Sequence, residues 1–549
     1  MDYEALAELL FGDIDLTPDD IYKMYPERNL PEGAFVTRIA PSPTGFVHFG
    51  NLFPAITSER MAHQSGGVFY LRIEDTDAKR EVPGAVEVIM KAFGTFGLNF
   101  DEGATIDGDN GAYGPYRQRQ REKIYKTFAK QLVKEGKAYP CFCSEDELSK
   151  IHGEQEKEKS NFGYFGKWAK CRDLSFDEIK KNIDMGKSFV LRFKSEGNPE
   201  NKIKFKDLVK GEIDLSENDM DHVLLKSDGI PTYHFAHVVD DHLMGTTHVV
   251  RGDEWLSTLP FHLQLFRAIG WRAPKYLHVS PLMKLDGESK RKLSKRKDPE
   301  AALTFYASEG YPSEAVYEYI LTLLNSGFED WRRQNPDVSA RDYKFQYKKM
   351  SVSGALFDIV KLNDVSKNYV SRLSAEKVYD EVATWAEEYD RDFYSLFTRD
   401  KAYTTEILKI GRGGKKPRKD FGIWSEVKGY MDFFFDELFT PDYTFDEKLD
   451  KSDIRAILEE YKDIYSPEDD NNAWFDKIRV LSEKHGFCKD VKAYKENPEG
   501  YKGHVGDVSM ILRVAVCGRT NSPDMYSVFK ILGKERLTER IDRALKAIK

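Results

Sequence analysis

Apolar positions along this chain recur in two rhythms, and the passage from one to the other marks its parts. AFVTRIA (34–40) is a short apolar run with β-branched Val36 and Ile39, closed by Pro41 and Pro43, which predicts a buried strand. After a Thr44-Gly45 turn, the apolar residues fall at helical spacing from Phe46 to Gly66-Gly67. GGVFYLRIED (66–75) reads as a second strand and PGAVEVIMKAFGTFGLNFDEG (83–103) as a second helix, giving a βαβα unit and hence a doubly wound parallel sheet. Residues 117–136 predict an amphipathic helix, and the Lys/Glu-rich stretch after AYPCFCSEDELSK carries weak signals. Short strands within 187–225 suggest an inserted α+β region. TYHFAHVVDDHLMGTTHVVRGDEW (232–255) reads as a return to buried β structure, with HVVRG as the sheet strand. Beyond residue 300 nearly every segment has helical spacing. An interrupted nucleotide-binding fold followed by a helical half is the expected architecture.

Length and composition narrow the class. A chain of 549 residues is too long for one core and predicts about three to five domains. No run approaches the length of a membrane helix, and the acidic start MDYEALAELLFGDIDLTPDD has no basic region of a signal peptide. Five cysteines, a low and odd count, fit a reducing cytoplasm better than a disulfide framework. The net charge of −9 argues against indiscriminate coating of nucleic acid and leaves local RNA-binding patches open.

PSPTGFVHFGN (41–51) concentrates the first candidate chemistry. A strand, a tight glycine turn and a helix N-terminus make a phosphate site, because the free N–H groups point at the ligand. His48 there can donate to phosphoryl oxygens as charge builds, or can simply be satisfied by the helix end. Gly50 would let a ligand approach the backbone. KRKLSKRK (290–297) is either a solvated basic turn or a loop whose Lys292 and Lys295 neutralise a departing pyrophosphate.

These two motifs, with RIAPSPTG and RIEDTD beside the first, resemble the class I aminoacyl-tRNA synthetases, specifically the bacterial-type glutamyl-tRNA synthetases. HFGN stands for that class's HIGH signature and KLSKR for its KMSKS signature. YRQRQREKIYKTFAKQLVKEGKAYPCFC, YHFAHVVDDHLMGTTHVVRGDEWLSTLP, FDIVKLNDVSKNYV and LRVAVCGRTNSPDMYSVFKILGKER extend the likeness from residue 35 to the C-terminus, leaving the first 33 residues outside the common core. The resemblance implies a Rossmann-like catalytic domain (34–112 and 238–300) interrupted by an acceptor-binding insertion (113–237). A stem-contact region (301–375) and an all-helical anticodon-binding domain (376–549) would follow, with 1–33 as an N-terminal extension. It implies ATP with Mg2+, L-glutamate and tRNA(Glu) as partners, with a non-discriminating enzyme that also charges tRNA(Gln) as an alternative, no membrane, and a cytoplasmic monomer.

Site residues carry over position by position. ATP would meet Pro43, Thr44, Gly45, His48, Gly50, Asn51, Leu293, Ser294 and Lys295, with Glu254 and Trp255 at the adenosine. Arg38 and Arg251, on two separate predicted strands, would meet the side-chain carboxylate of glutamate with Tyr233, and Glu74 its ammonium. Ala40 and Ser42 would line the pocket, and His237 stands where the family commonly has Asn. Without the resemblance, these charges pair with one another equally well. Glutaminyl-tRNA synthetases typically carry Pro-Glu-Pro where this chain has Pro41-Ser42-Pro43, and their C-terminal half is β-barrel. A tRNA-modifying paralogue would lack the helical half, and a small nucleotidylyltransferase would not need it. A non-catalytic RNA-binding relative would not need His48, Lys292 and Lys295.

Two constellations remain. Cys141, Cys143 and Cys171 offer three thiolates to a structural Zn2+ of the kind some glutamyl synthetases carry, with Tyr164, His152 or Asp173 as fourth ligand, or they are three unrelated buried thiols. GRGGKKPRK (411–419) sets Arg412, Lys415, Lys416, Arg418 and Lys419 in the half expected to hold tRNA phosphates, or is a solvated linker. Cys488 and Cys517 have no partner pattern and read as buried structural thiols.

Overall fold

The computed structural model describes residues 1–43, 47–77, 79–294 and 296–548. Two compact units divide it: Met1–Phe305 with Tyr317–Asp358, and Tyr306–Val316 with Ile359–Lys549.

The first unit is built on the expected parallel sheet. β1 (Val36–Ile39) pairs in parallel with β2 (Val68–Leu71), β2 with β3 (Glu102–Ala104), and β10 (His248–Gly252) with β11 (Lys275–Val279). Thr247, just before β10, donates its N–H to Val36 O at 3.0 Å, which joins the two pairs side by side. The order reverses between β1 and β10, so the crevice beyond their carboxyl ends is where such a sheet receives a ligand. α3 (Leu52–Gln64) covers this seam and buries Leu52, Phe53, Ala55 and Ile56. α4 (Ala85–Thr95) is shorter than the expected helix, and the segment 102–104 that was expected to continue it is β3. Three residues are too few to show a period-2 pattern, and the sequence reading absorbed them.

The insertion between the two sheet halves contains α5 (Glu122–Lys134), β5 (Ala138–Cys141), α6 (Glu145–Lys157), α7 (Phe176–Asp184), β6 (Val190–Phe193), β7 (Lys202–Asp207), β8 (Gly211–Ser216) and β9 (Val223–Leu225). β5, β6 and β9 form one antiparallel sheet, and β7 and β8 a hairpin. α6 occupies the stretch that gave weak signals. Its start was written in Ser144 and Glu147, which cap each other's backbone N–H groups.

The larger correction is α8 (Tyr233–Leu243), which replaces the expected β structure. Phe235, Ala236, Val238, Val239 and Leu243 are all buried, so the helix is apolar on most sides and its hydrophobic pattern cannot distinguish helix from strand. The polar residues carry the period instead: Tyr233, His237, Asp240 and Asp241 fall on one helical face. Residues 1–33, expected as a short helical extension, are helical and fall within this unit. Helices α1 (Tyr3–Phe11) and α2 (Pro18–Met24) lie against α5, with Lys130 and Lys134 paired to Glu8 and Glu4 at 2.9 Å. Arg28 grips Glu102 with two 2.8 Å bonds and Met244 O with a third.

The second unit is helical, running from Ile359–Arg372 to Met525–Ala547 around a core that includes Trp424, Tyr461, Trp474, Leu512 and Phe529. No helix among the described residues is long and apolar enough to cross a membrane.

α8 is fixed by charge. Asp240 accepts from Arg121 Nε at 2.7 Å, Gln118 Nε2 at 2.9 Å and Tyr125 OH at 2.8 Å, all without solvent exposure. Asp240→Asn strands the Arg121 guanidinium in the interior, a class of loss that measures about 3–5 kcal/mol. Urea unfolding followed by circular dichroism should show a loss of that size in the first unit; a change below about 1 kcal/mol would make the network dispensable.

Candidate active site

Arg38 and Arg251 leave the carboxyl ends of β1 and β10, on either side of the switch point, and both are buried. Their environments differ. Arg38 Nε lies 3.2 Å from Asp241 Oδ1, and the same carboxylate takes Arg72 Nη1 at 2.7 Å. Arg251 meets neutral acceptors only: His278 Nε2 at 3.0 Å from Nε, His262 Nδ1 at 3.2 Å from Nη1 and Trp255 O at 3.3 Å from Nη2. Among the described residues no carboxylate lies within ion-pair distance of it.

The imidazoles around Arg251 do not share its charge. Burial pushes His237 down to about 3 and His234 to about 4, and holds His262 well below its ordinary value. All three are therefore neutral near pH 7. His237 is spoken for within the protein, with Nδ1 2.9 Å from Asp241 and Nε2 3.0 Å from the Tyr276 hydroxyl. Tyr233 lies against Trp255 with centroids 4.4 Å apart and rings tilted by 32°. Glu74 completes the group: its N–H donates to Pro41 O at 3.0 Å, which places it beside Ala40 and Ser42. Its carboxylate holds Arg72 Nη2 at 3.2 Å. Burial pushes Glu74 up to about 6, with Arg72 and Arg38 working against that rise, so it is ionised at pH 7.

On the phosphate side, Thr44, Gly45 and Lys295 lie outside the described residues. His48 is exposed at the start of a 3-10 turn, Phe49–Asn51, and Asn51 Oδ1 accepts its N–H at 3.0 Å. Phe49 anchors that turn in an aromatic nest with Phe53, Tyr319 and Phe357. A Cβ on Gly50 would come within 3.0 Å of His48 Nδ1, so this glycine makes room for the imidazole itself. Gly252 does the same for Glu254, whose carboxylate would stand 2.2 Å from a Cβ there.

Lys292 is exposed on a hairpin of β12 (Met283–Asp286) and β13 (Ser289–Lys292), with Leu293 and Ser294 following. Sequence reading missed what holds this hairpin. Asp298, buried, receives Arg291 at 2.6 and 2.7 Å and the Ser294 N–H at 2.9 Å, and Lys284 bridges it to Glu300. Arg291 holds the Asp298 carboxyl well below the usual carboxylate range.

In the insertion, the sulfurs of Cys141, Cys143 and Cys171 all lie within 4.8 Å of one another. The Tyr164 hydroxyl stands 3.3 Å from Cys143 Sγ and 3.0 Å from the Cys171 N–H. Asp173 instead turns toward Lys194 in solvent, and the His152 ring lies on Phe162. Hydrogen bonding from Cys171 pushes the Cys141 thiol down to about 4. Three sulfurs and a phenol oxygen converging on one point form a donor set suited to tetrahedral zinc.

In the second unit, the run 411–419 separates into two kinds of residue. Arg412 turns inward, donating to Val370 O at 2.7 Å and lying over Phe421. Arg418 forks onto Asp420 at 2.9 and 2.7 Å. Lys415, Lys416 and Lys419 are exposed. Cys488 and Cys517 are buried thiols, as expected.

Known families match in the same two places. Residues 34–364 match the family described as tRNA synthetases class I (E and Q), catalytic domain, and residues 418–545 match the anticodon binding domain. A glutamate–tRNA ligase of Acetivibrio thermocellus is 50% identical over 548 residues, covering 99% of this chain and all of that protein. One from Clostridium perfringens strain 13 is 50% identical over 546 residues, with 98% and 100% covered. Among solved structures, a glutamate tRNA ligase from Elizabethkingia meningosepticum in complex with its amino acid superposes with TM-score 0.76 at 28% identity, over 94% of this chain and all of that one. Both matches cover nearly the whole chain and so reach into residues 1–33, which the catalytic-domain match leaves out.

The Asp298 tether makes a local prediction. Asp298→Ala removes the Ser294 N–H bond and two of the bonds of Arg291, leaving Arg291 its bond to Asp286, so the segment 290–297 should open more often. Trypsin cleavage after its lysines and arginines should accelerate at least about tenfold, with little change in melting temperature. Equal cleavage rates would show that other contacts hold the hairpin.

Proposed function

The chain belongs to the class I tRNA synthetases of the glutamate and glutamine type, and we propose that it is a glutamate–tRNA ligase whose amino-acid pocket is centred on Arg251. The α-carboxylate of L-glutamate attacks the α-phosphorus of ATP, and pyrophosphate leaves. The terminal ribose hydroxyl of tRNA(Glu) then takes the glutamyl group from the adenylate, and AMP leaves. Mg2+ accompanies ATP and offsets phosphate charge. No protein nucleophile is required; the chain positions two substrates and supplies donors.

In this reading, His48 and Lys292, with Lys295, face the phosphates. Pro43, Thr44, Gly45, Gly50, Asn51, Leu293 and Ser294 line them, and Glu254 and Trp255 hold the adenosine. Arg251, Arg38 and Tyr233 receive the side-chain carboxylate, His237 braces Arg38 and Asp241, and Glu74 meets the ammonium. Ala40 and Ser42 form the pocket wall. The observation that carries the pocket is the buried guanidinium of Arg251 with no carboxylate against it among the described residues. A buried cation calls for a counter-charge, and glutamate supplies one where glutamine does not. The helical unit would serve tRNA, with Lys415, Lys416 and Lys419 as its phosphate contacts, while Arg412 and Arg418 shape that loop. The domain ranges expected from the sequence stand as part of this proposal. So does a monomer working in the reducing cytoplasm, which five free thiols favour.

ATP–pyrophosphate exchange in the presence of tRNA tests the pocket. Wild type should favour glutamate over glutamine by about a thousandfold in kcat/KM, the scale of leaving a buried charged group unpaired. Arg251→Gln should cut glutamate use severely and narrow that gap. Equal use of both amino acids by wild type, or an unchanged ratio in the variant, would place the pocket elsewhere.

The zinc reading has its own check. Cys141, Cys143, Cys171 and Tyr164 would hold one structural Zn2+, joining β5 to the Tyr164–Cys171 loop. Purified protein should carry about one equivalent, lost in Cys143→Ser together with stability of the insertion. Fully active protein with no bound metal would end the idea.

A further inference from the structure

Arg251 is held from behind, by a chain of contacts that leaves the sheet and ends in the insertion. His278, on β11, lies beside Arg251 in the parallel pairing, where the two residues are direct partners. Its Nε2 receives Arg251 Nε–H at 3.0 Å. On the other side of the ring, Nδ1 stands 2.7 Å from Oδ2 of Asp207, the last residue of β7. Both side chains are fully buried. Asp207 is itself immobilised, accepting the N–H groups of Val209 at 2.9 Å, Lys210 at 2.7 Å and His278 at 3.1 Å.

The chemistry of this chain runs in one direction. Burial alone would raise the Asp207 carboxyl, but His278 and the two turn amides hold it below its ordinary value, so it is an acceptor only. An acceptor at Nδ1 fixes the proton there and leaves Nε2 as a bare lone pair. Burial keeps His278 below its ordinary value and hence neutral near pH 7. Only this tautomer can accept the Arg251 Nε–H; the other would set two hydrogens against each other. With Nε held by His278, Nη1 by His262 and Nη2 by Trp255, three of the five guanidinium hydrogens are fixed, and the orientation of the remaining fork is fixed with them.

We propose that Asp207 and His278 are positioning residues for amino-acid specificity: together they set the tautomer that locks Arg251 in the orientation that receives the substrate's side-chain carboxylate. The proposal rests on the reading that Arg251 binds that carboxylate. Asp207 also places a negative charge one imidazole away. It steadies the guanidinium through His278 without occupying it, which leaves direct neutralisation to the ligand. His234 extends the chain beyond His262, Nδ1 to Nε2 at 2.9 Å, so Arg251 is braced on both sides by neutral rings.

A purely structural role is the rival, because the same hairpin docks on the sheet through Leu208 N–H to Tyr276 O at 3.0 Å and Lys210 to Asp253 at 3.1 Å. Separate Michaelis constants for glutamate and ATP, measured by ATP–pyrophosphate exchange with tRNA, distinguish the two. Asp207→Asn and His278→Phe should each raise the KM for glutamate about tenfold or more, and narrow the glutamate-to-glutamine ratio, with the KM for ATP within about twofold. His278→Gln, whose amide oxygen can accept the Arg251 Nε–H, should restore most of the loss. Variants with both constants and the ratio at wild-type levels would overturn the proposal. So would variants in which the two KM values rise together, or in which glutamine restores no more than phenylalanine. Arg251→Gln, run alongside, separates the premises: unchanged glutamate use there would sink the pocket itself rather than its bracing.

Discussion

Two adjacent carboxylates on one buried helix hold the catalytic unit in register. Asp241 and Asp240 leave α8 on the same face but reach different partners: Asp241 takes Arg38 and Arg72 from β1 and just beyond β2, and Asp240 takes Arg121, Gln118 and Tyr125 from α5 and the turn before it. The first joins the helix to the sheet and the second joins it to the insertion. Burying such charges has a large desolvation cost, and hydrophobic replacements of equal volume could match their net stability. A network of this kind selects geometry instead, because each guanidinium has few orientations that satisfy its donors. The positions of Arg38 and Glu74 follow from it, since Arg72 lies between Asp241 and Glu74.

In the proposed pocket, that geometry divides the labour between the two arginines. Arg38 is neutralised within the protein, so it can shape the site and steady Asp241 before any ligand arrives. Arg251 is surrounded by acceptors that carry no charge, and its orientation is fixed while its charge is left to the ligand. Preorganised donors of this kind need no rearrangement at the moment of binding, and they act in a region from which water is excluded. A neutral amide in the same place would present an NH2 to a group that only donates.

Much of this was legible from the residues. The strand at 34–40, the glycine turn, the helix after it and the second strand were written in local patterns, and the order of HFGN, RIEDTD, HVVRG and KLSKR carried the family resemblance. α8 was not legible from its apolar residues, because a helix buried on nearly all sides has no hydrophobic face to count. The spacing of Tyr233, His237 and Asp240-Asp241 held the missing signal, and reading those polar residues as a helical face would also have joined Arg38 to its counter-ion. Asp207, His278 and Asp298 stayed hidden for a different reason. Each acts through partners that are distant in sequence or turned by a loop, and no pattern along a single segment announces a contact 71 residues away. The run 411–419 shows the converse: five basic residues look alike in sequence, and only geometry distinguishes Arg412, committed to Val370 O, from the exposed lysines.

The two ends of the proposed site therefore face opposite physical demands. Specificity for an anionic side chain is a ground-state problem: a permanent charge must be met in a dry, rigid place, and a buried guanidinium braced by neutral rings meets it. Phosphoryl chemistry is a transition-state problem, in which charge develops on oxygens that then depart with pyrophosphate. Cations buried permanently against that position would hold the product as firmly as the transition state. His48 and Lys292 stand exposed instead, on a short turn and a hairpin, and the tether to Asp298 is made by the neighbouring Arg291 rather than by Lys292. In the proposed site, the basic side chains assigned to the phosphates are thus solvent-exposed, while the two arginines assigned to the amino acid are buried among their partners.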